Sequence, residues 1–290
     1  MRPCLRTDPS CPMRTTTTAT WTASSPRNRV VTWLRFPYEC FVLYGGLLLF
    51  AVSFFVWSAV ATLLCHILPR GFGMRSGQTM VMLMFRSYIA VLKASGIVKF
   101  DLGALDALRD DGALIIAPNH PSLLDAVLVV SRLPRVVCIM KAEIQDSLIL
   151  GGGARLAGYI RDDLPLSMIR SAAAALRAGN QLLMFPEGTR TRPHARCHFK
   201  GGYALIAKMA GVPVQTVFIE TNTMFLGKGW PLFKKPVFPL TFRVRLGQRF
   251  DVNGDVKTTV ADMERYHRDA LASATGVRDD SNQADAKAAA

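Results

Sequence analysis

The sequence predicts an α/β fold, a mixed sheet flanked by helices, preceded by an N-terminal helical membrane anchor. Three observations carry that prediction. Residues 41–68 form a run of twenty-eight without Lys, Arg, Asp or Glu. Beyond Phe100, short β-type runs alternate with helical stretches, the pattern of an α/β domain. Half of the 290 residues are apolar against 19% charged, and the mean hydropathy is +0.22, which excludes a wholly disordered chain.

Residues 1–38 are rich in Thr, Ser, Arg and Pro, with the run Thr15-Thr16-Thr17-Thr18 and no apolar periodicity, so a disordered basic arm is expected there. Residues 39–98 are expected to hold the anchoring helices. As a helix the uncharged run 41–68 would be about 42 Å long, more than the roughly 30 Å of hydrocarbon in a bilayer. Pro69, Arg70 and Gly71 end it. A second run, 80–92, is apolar except for Arg86 and Ser87, and its length suits an interfacial or re-entrant helix; together the two make a hairpin-like anchor. Arg27, Arg29 and Arg35 precede the first run while Arg70, Arg75 and Arg86 follow, so the positive-inside comparison does not set the orientation.

Residues 99–274 read as the globular domain and 275–290 as a frayed polar tail. Strands are expected at 113–117, 136–140, 181–185, 212–219 and 240–246. The last alternates Leu240, Phe242, Val244 and Leu246 on one face with Thr241, Arg243 and Arg245 on the other. Helices are expected at 121–131, at 144–157 with a glycine-rich interruption, and at 166–178, 202–210 and 260–272.

The six cysteines are scattered without a Cys-x-x-Cys pair and read as reduced thiols. His194, Cys197 and His198 cluster but lack a second ligand pair, so no metal site is expected. A net charge of +14 favours anionic partners: nucleic acid, acidic lipid or phosphorylated substrates. The chain has no signature of a nucleic-acid-binding module, so no nucleic-acid partner is expected.

Chemistry appears where the first of these strands ends, at Asn119-His120-Pro121-Ser122-Leu123-Leu124-Asp125. Pro121 suits the first turn of a helix, placing His120 at its N-terminal lip, where the dipole disfavours imidazolium, and Asp125 just over a turn later. The two side chains can then meet as a general-base dyad, the carboxylate fixing the imidazole tautomer. A His with an Asp five residues on arises by chance about 0.3 times in a chain of this composition, so the spacing alone is weak. A second block, Phe185-Pro186-Glu187-Gly188-Thr189-Arg190, follows another strand, at the end where α/β sheets bind ligands. Gly188 permits close backbone approach and Arg190 offers a fork for phosphate oxygens.

In this order and about sixty residues apart, the two blocks resemble those of the glycerolipid acyltransferase family, the lysophosphatidic acid or 1-acylglycerol-3-phosphate O-acyltransferases. Asn119-His120 through Asp125 is similar to the family's His-x4-Asp catalytic block, and 185–190 to its acceptor-binding block. Gly158-Tyr159-Ile160-Arg161 resembles the second block, whose arginine is implicated in holding the acceptor phosphate. Lys141-Ala142-Glu143 looks like the family's Lys-containing segment, and Phe199-Lys200-Gly201-Gly202 like its Phe-Lys-x-Gly stretch. Val212-Pro213-Val214 starts the fourth block, but Thr216 stands where the family has a second proline, and 220–239 matches no assignable pattern.

The resemblance implies a membrane-bound enzyme that moves a fatty acyl group from acyl-CoA or acyl carrier protein to the free hydroxyl of a lysophospholipid, 1-acylglycerol-3-phosphate first among acceptors. It implies no cofactor and no metal. His120 and Asp125 would be catalytic, while Asn119, Lys141, Arg161, Glu187, Gly188, Thr189 and Arg190 would bind substrate, with Glu187 orienting cations or an acceptor hydroxyl. Donor supply would place the domain on the cytoplasmic face of the inner or cytoplasmic membrane. Pulling a sixteen-carbon chain into water would cost on the order of 12 kcal/mol, a physical reason for an anchor. Other lipid acceptors, such as a lyso-ornithine lipid, and a non-catalytic lipid-binding protein are the alternatives.

Overall fold

The computed structural model describes residues 26–147, 151–191, 198–231 and 233–288. By contact the chain parts into two units, 1–38 and 39–290. The expected arm differs from this structure in its last part: helix α1 (Pro26–Ile67) begins inside it, with Pro26 at the first turn, where its fixed φ and missing N–H are tolerated. Residues 1–25 lie outside the described residues, as do His194 and Cys197.

Leu68 and Pro69 turn the chain into α2 (Arg70–Ala94), which starts well before the apolar run 80–92 and gives the expected hairpin. Its inward face, Gly73, Gly77, Val81, Phe85, Tyr88, Ile89 and Leu92, recurs at three- and four-residue spacing. Phe50 of α1 meets Phe85 and Tyr88 at ring distances of 6.0 and 5.0 Å. Close approach is set by small residues. A Cβ on Gly77 would lie 2.7 Å from the Leu156 carbonyl carbon, and one on Gly152 would collide with the Ser58 carbonyl of α1. The Gly152 N–H donates to Ser58 Oγ at 3.0 Å. Helix α5 (Gly151–Leu156), built from the glycine run that follows the short α4 (Ala142–Asp146), is therefore where α1 and α2 rest on the domain.

The domain is a seven-stranded mixed sheet in the order β1-β7-β6-β2-β5-β3-β4. Its strands are β1 (Val98–Asp101), β2 (Ile115–Pro118), β3 (Val136–Lys141), β4 (Ile160–Asp162), β5 (Gln181–Leu183), β6 (Val214–Thr221) and β7 (Leu240–Phe250). All neighbours pair in parallel except β6 with β7. One face is covered by α1, α2 and α3 (Asp125–Val130), the other by α6 (Pro165–Arg177), α7 (Gly202–Ala210) and α8 (Val256–Ala288). β2 is buried at all four positions, which makes it the centre of the sheet, and the chemistry-bearing loops leave from its C-terminal end and that of β5. Val81, Phe85 and Leu92 of α2 share a core with Leu105, Leu128 and Phe242, so the second anchor helix is also part of the domain.

On β7, Leu240, Phe242 and Val244 point into the core while Arg243 and Arg245 reach Asp101 and Glu220, the alternation read from the sequence. The polar tail expected from 275 is instead helical to Ala288, as a continuation of α8. Two strands went unexpected, β1 and β4, each too short to show a period.

Candidate active site

The loop leaving β2 is pinned first by Asn119. Its carboxamide donates to the Ile219 carbonyl at 3.0 Å and accepts the Ile219 N–H at 2.6 Å, extending the β2–β6 ladder with a side chain. Both ends of that amide are engaged and the side chain is buried, so Asn119 shapes the loop.

The helix expected from Pro121 starts four residues later, at Asp125. Residues 121–124 form turns that double back, with the Asp125 N–H on the Ser122 carbonyl at 3.3 Å and the Leu124 N–H on Ser122 Oγ at 3.2 Å. His120 and Asp125 meet across that turn: His120 Nδ1 lies 2.8 Å from Asp125 Oδ2, which also accepts the Ser122 N–H at 2.7 Å. Helix-dipole control of the imidazole does not apply, because the helix begins at the carboxylate. Asp125 is fully buried while the His120 side chain keeps 17% of its surface open. Burial pushes the Asp125 carboxyl up from its ordinary range; the His120 imidazole and the Ser122 N–H draw it back. With Nδ1–H donated to Asp125, the free lone pair sits on Nε2.

The second block packs directly on the first. Phe185 stacks on the His120 ring at 3.9 Å and 18°. Glu187 Oε1 accepts the Thr191 hydroxyl at 2.6 Å; Thr191 Oγ1 accepts the His120 N–H at 2.9 Å, and the Thr191 N–H donates to the His120 carbonyl at 2.7 Å. Glu187 thus fixes the backbone of His120 through Thr191. Among the described residues it pairs with no cation, contrary to the expected orienting of arginines. Burial raises its carboxyl above the usual range, opposed by the Thr191 and His120 hydrogen bonds.

Gly188 has φ +64°, and a Cβ there would lie 2.9 Å from Lys200 Nζ, so the backbone approach this glycine permits is filled by an exposed lysine. Lys228 Nζ stands 3.5 Å from Thr189 Oγ1. Arg190 turns inward, its Nη1 donating to the carbonyls of Leu226 and Gly227 at 3.0 and 2.9 Å. Leu226, at φ +56°, also accepts the Leu123 N–H at 3.2 Å, so the stretch without an assignable pattern closes over both motifs.

Lys141 and Arg161 are not brought into this cluster. They sit near the C-terminal ends of β3 and β4, about 10 and 14 Å across the sheet from β2 at one strand spacing per step. Lys141 is exposed. Arg161 is paired with Asp146 and, at 2.9 Å, with Asp163. Sequence reasoning missed Thr191, one position past the second block, and Lys228, in the unassigned stretch; Lys200 was visible as part of a motif without a role.

A narrow apolar pocket lies between α1, α2 and the sheet, lined by Leu43, Leu47, Leu92, Leu124, Phe225 and Phe238 among others. Leu124, in its lining, is the residue before Asp125 in the chain. Among the described residues no group of three or more His, Cys, Asp or Glu is placed to hold a metal.

A buried carboxylate on an open imidazole, at the carboxyl end of a central β-strand, defines a base-equipped α/β site. Residues 99–220 match the family model for Acyltransferase. A 1-acyl-sn-glycerol-3-phosphate acyltransferase of Limnanthes douglasii is 32% identical over 138 residues, covering 45% of each chain. One of Helicobacter pylori is 30% identical over 133 residues, 43% of this chain and 56% of the relative. The chain spans about half the length of the curated relatives it matches. The crystal structure of the 1-acyl-sn-glycerophosphate acyltransferase PlsC from Thermotoga maritima shares the fold, with TM-score 0.50 and 19% identity over 78% of this chain and 96% of that one. Residues 99–220 are thus similar to acyltransferase domains in sequence.

Proposed function

We propose that the protein is a membrane-associated O-acyltransferase that moves a fatty acyl group from a thioester, acyl-CoA or acyl carrier protein, to the free hydroxyl of a lysophospholipid, with 1-acylglycerol-3-phosphate the favoured acceptor. The observation that carries this reading is the His120–Asp125 pair at 2.8 Å, in a fold that also sets Lys200 and Lys228 beside Gly188 and Thr189. Nε2 of His120 takes the proton of the acceptor hydroxyl, whose oxygen attacks the thioester carbonyl. The C–S bond breaks as the intermediate collapses, and the leaving thiolate takes the proton back from the imidazolium. Asp125 stabilises that cation and holds the ring. No side chain needs to carry the acyl group. Lys200 and Lys228, beside Gly188 and Thr189, suit a phosphate better than the inward Arg190, which holds the rim in shape; Lys141 and Arg161 lie farther along it. The curated relatives' names as 1-acylglycerol-3-phosphate acyltransferases favour that acceptor.

The anchor supports an interfacial reading of the same site. Among the described residues α1 is the one helix long and apolar enough to cross a membrane: its span Arg35–Ile67 has 33 residues and holds an 18-residue window of mean hydropathy 2.3, 17% of it buried. From Leu43 to Ala61 its inner face rests on α2 and the domain, while Leu48, Val52, Phe55, Val56 and Leu63 face outward. A helix held along the domain over about 27 Å lies in the membrane surface with its outer face in lipid, instead of standing upright. The domain then works at the cytoplasmic face, where activated acyl donors are made.

The test is acyl transfer by the purified full chain in vesicles, offering acyl-CoA and acyl carrier protein against a panel of lysolipids, with product identified by mass. Transfer to 1-acylglycerol-3-phosphate that disappears in His120→Ala is the expected result. Folded wild-type protein that turns over no lysolipid with either donor overturns the reading.

A further inference from the structure

Beyond Lys228 and the contacts of Leu226 and Gly227 to Arg190, the connection 222–239 between β6 and β7 takes no part in the chemistry proposed above, and its two ends have different surroundings. The inner end belongs to the core: Phe225, Leu226 and Phe238 are buried. The outer end is braced within itself. Trp230 Nε1–H donates to the Lys234 carbonyl at 3.0 Å, the Lys234 N–H to the Pro231 carbonyl at 2.9 Å, and the Phe225 and Trp230 rings meet edge to face at 6.1 Å. On this support stand Phe233, 74% exposed, and Val237, 80% exposed. Apolar side chains held out by a stiff loop hide from water only if something covers them.

Their neighbour says what does. Tyr44 of α1 donates its hydroxyl to the Phe233 carbonyl at 3.0 Å, with the two rings 6.4 Å apart, so the tip continues the outward apolar face of α1 beside Phe41 and Leu48. Lys234, lying 5.0 Å over the Trp230 ring, adds exposed positive charge at the tip. We propose that this loop is a second membrane-contacting element: Phe233 and Val237 enter the same leaflet as the outer face of α1, and Lys234 meets anionic headgroups. The proposal rests on the interfacial reading of α1. Because the inner end of the loop holds Arg190 and Leu123, lipid contact at the tip sets the depth at which the acceptor hydroxyl meets His120.

The loop is tested in the full chain with native cysteines replaced by Ser and Val237→Cys carrying a nitrobenzoxadiazole dye, reconstituted in phosphatidylcholine vesicles containing phosphatidylglycerol. Nitroxide-labelled lipid is expected to quench the dye and iodide in the water phase to leave it bright, with the reverse for the same dye at Arg265→Cys on α8. Iodide quenching at 237 as strong as at 265 overturns the proposal, and so does shielding from both quenchers, which means a protein surface covers the tip. This readout needs no turnover, so it fails or succeeds independently of the assigned reaction. A second measurement uses Phe233→Ser with Val237→Ser. Transfer to a vesicle-embedded lysolipid is expected to fall about tenfold while transfer to a monomeric short-chain acceptor holds, with Phe233→Leu and Val237→Leu restoring it. Equal loss on both acceptors makes the loop a support for Arg190 alone and overturns lipid contact.

Discussion

At the residue scale, the site is a single base whose tautomer and backbone are each fixed by a different carboxylate. Asp125 Oδ2 accepts from His120 Nδ1 and the Ser122 N–H together, so Asp125→Asn can keep both bonds on its one oxygen but loses the charge that stabilises the imidazolium and puts an NH2 in the buried place of Oδ1. The variant is expected to fold, with its circular dichroism retained, and to lose kcat by on the order of 10²–10⁴-fold with little change in KM. Thr191 carries the second constraint. Thr191→Val removes the link from Glu187 to the His120 N–H while keeping the shape. Turnover should drop about tenfold or more, an outcome read from kcat alone, whereas Thr191→Ser should restore it. The dyad was legible because the two residue types stand five apart after a strand. The route by which they meet was not: Pro121 signals a helix start, but the Asp125 carboxylate captures the Ser122 N–H and makes a turn instead. Thr191 gave no signal, since a threonine in a polar loop has no pattern until its partners are placed.

Among the elements, α8 holds a titration that the chemistry does not use. His267 is fully buried, stacked on Phe218 at 4.6 Å and edge-on to Phe199 at 5.2 Å, and neither ring nitrogen has a well-placed partner among the described residues. Burial, aided by the Arg245 charge, lowers it from its ordinary value to about 4. Above about pH 6.5 the imidazole is neutral in folded and unfolded chains alike. Below that the unfolded chain takes up the proton first, so stability falls as pH drops from about 6.5 towards 4, by on the order of 3 kcal/mol in all. Thermal melts at pH 7 and 5 are expected to show a loss of Tm that His267→Phe removes; equal losses in both proteins would assign the acid sensitivity elsewhere. The elements themselves were readable where periodicity is long, as in α7, and lost where it is short. β4 has three residues and β1 four, too few for alternation to declare itself. The connection 222–239 stayed opaque because its role is to close on Arg190, a contact between residues thirty-six and thirty-seven positions apart.

For the whole molecule, the charge-free run 41–68 announced a long apolar helix, but a one-dimensional pattern does not say which side of it is spoken for by protein. The structure divides the two sides. Gly152 and Gly153 of α5 lie against Ser58 and Trp57 so closely that the glycine run acts as a seat for α1, and Ala61 beside it is completely buried. Gly152→Val should therefore unseat the helix and lower Tm by several degrees, because a side chain there meets the Ser58 carbonyl, a backbone atom that cannot move aside. Val52 and Val56, on the other side, are 51% and 54% exposed and touch the membrane alone in the interfacial reading. Replacing both by Asp leaves the core intact and puts two charges where apolar surface should meet lipid, at a cost of about 2–3 kcal/mol each if they sit in hydrocarbon. Vesicle flotation is expected to show the double variant shifted to the soluble fraction, with the Tm of the detergent-solubilised protein unchanged, and activity on vesicle-embedded acceptor lost in proportion. Retention on vesicles equal to that of the wild type would mean that lipid does not contact this face, and the in-plane placement of α1 would have to be given up while the dyad and its chemistry stand.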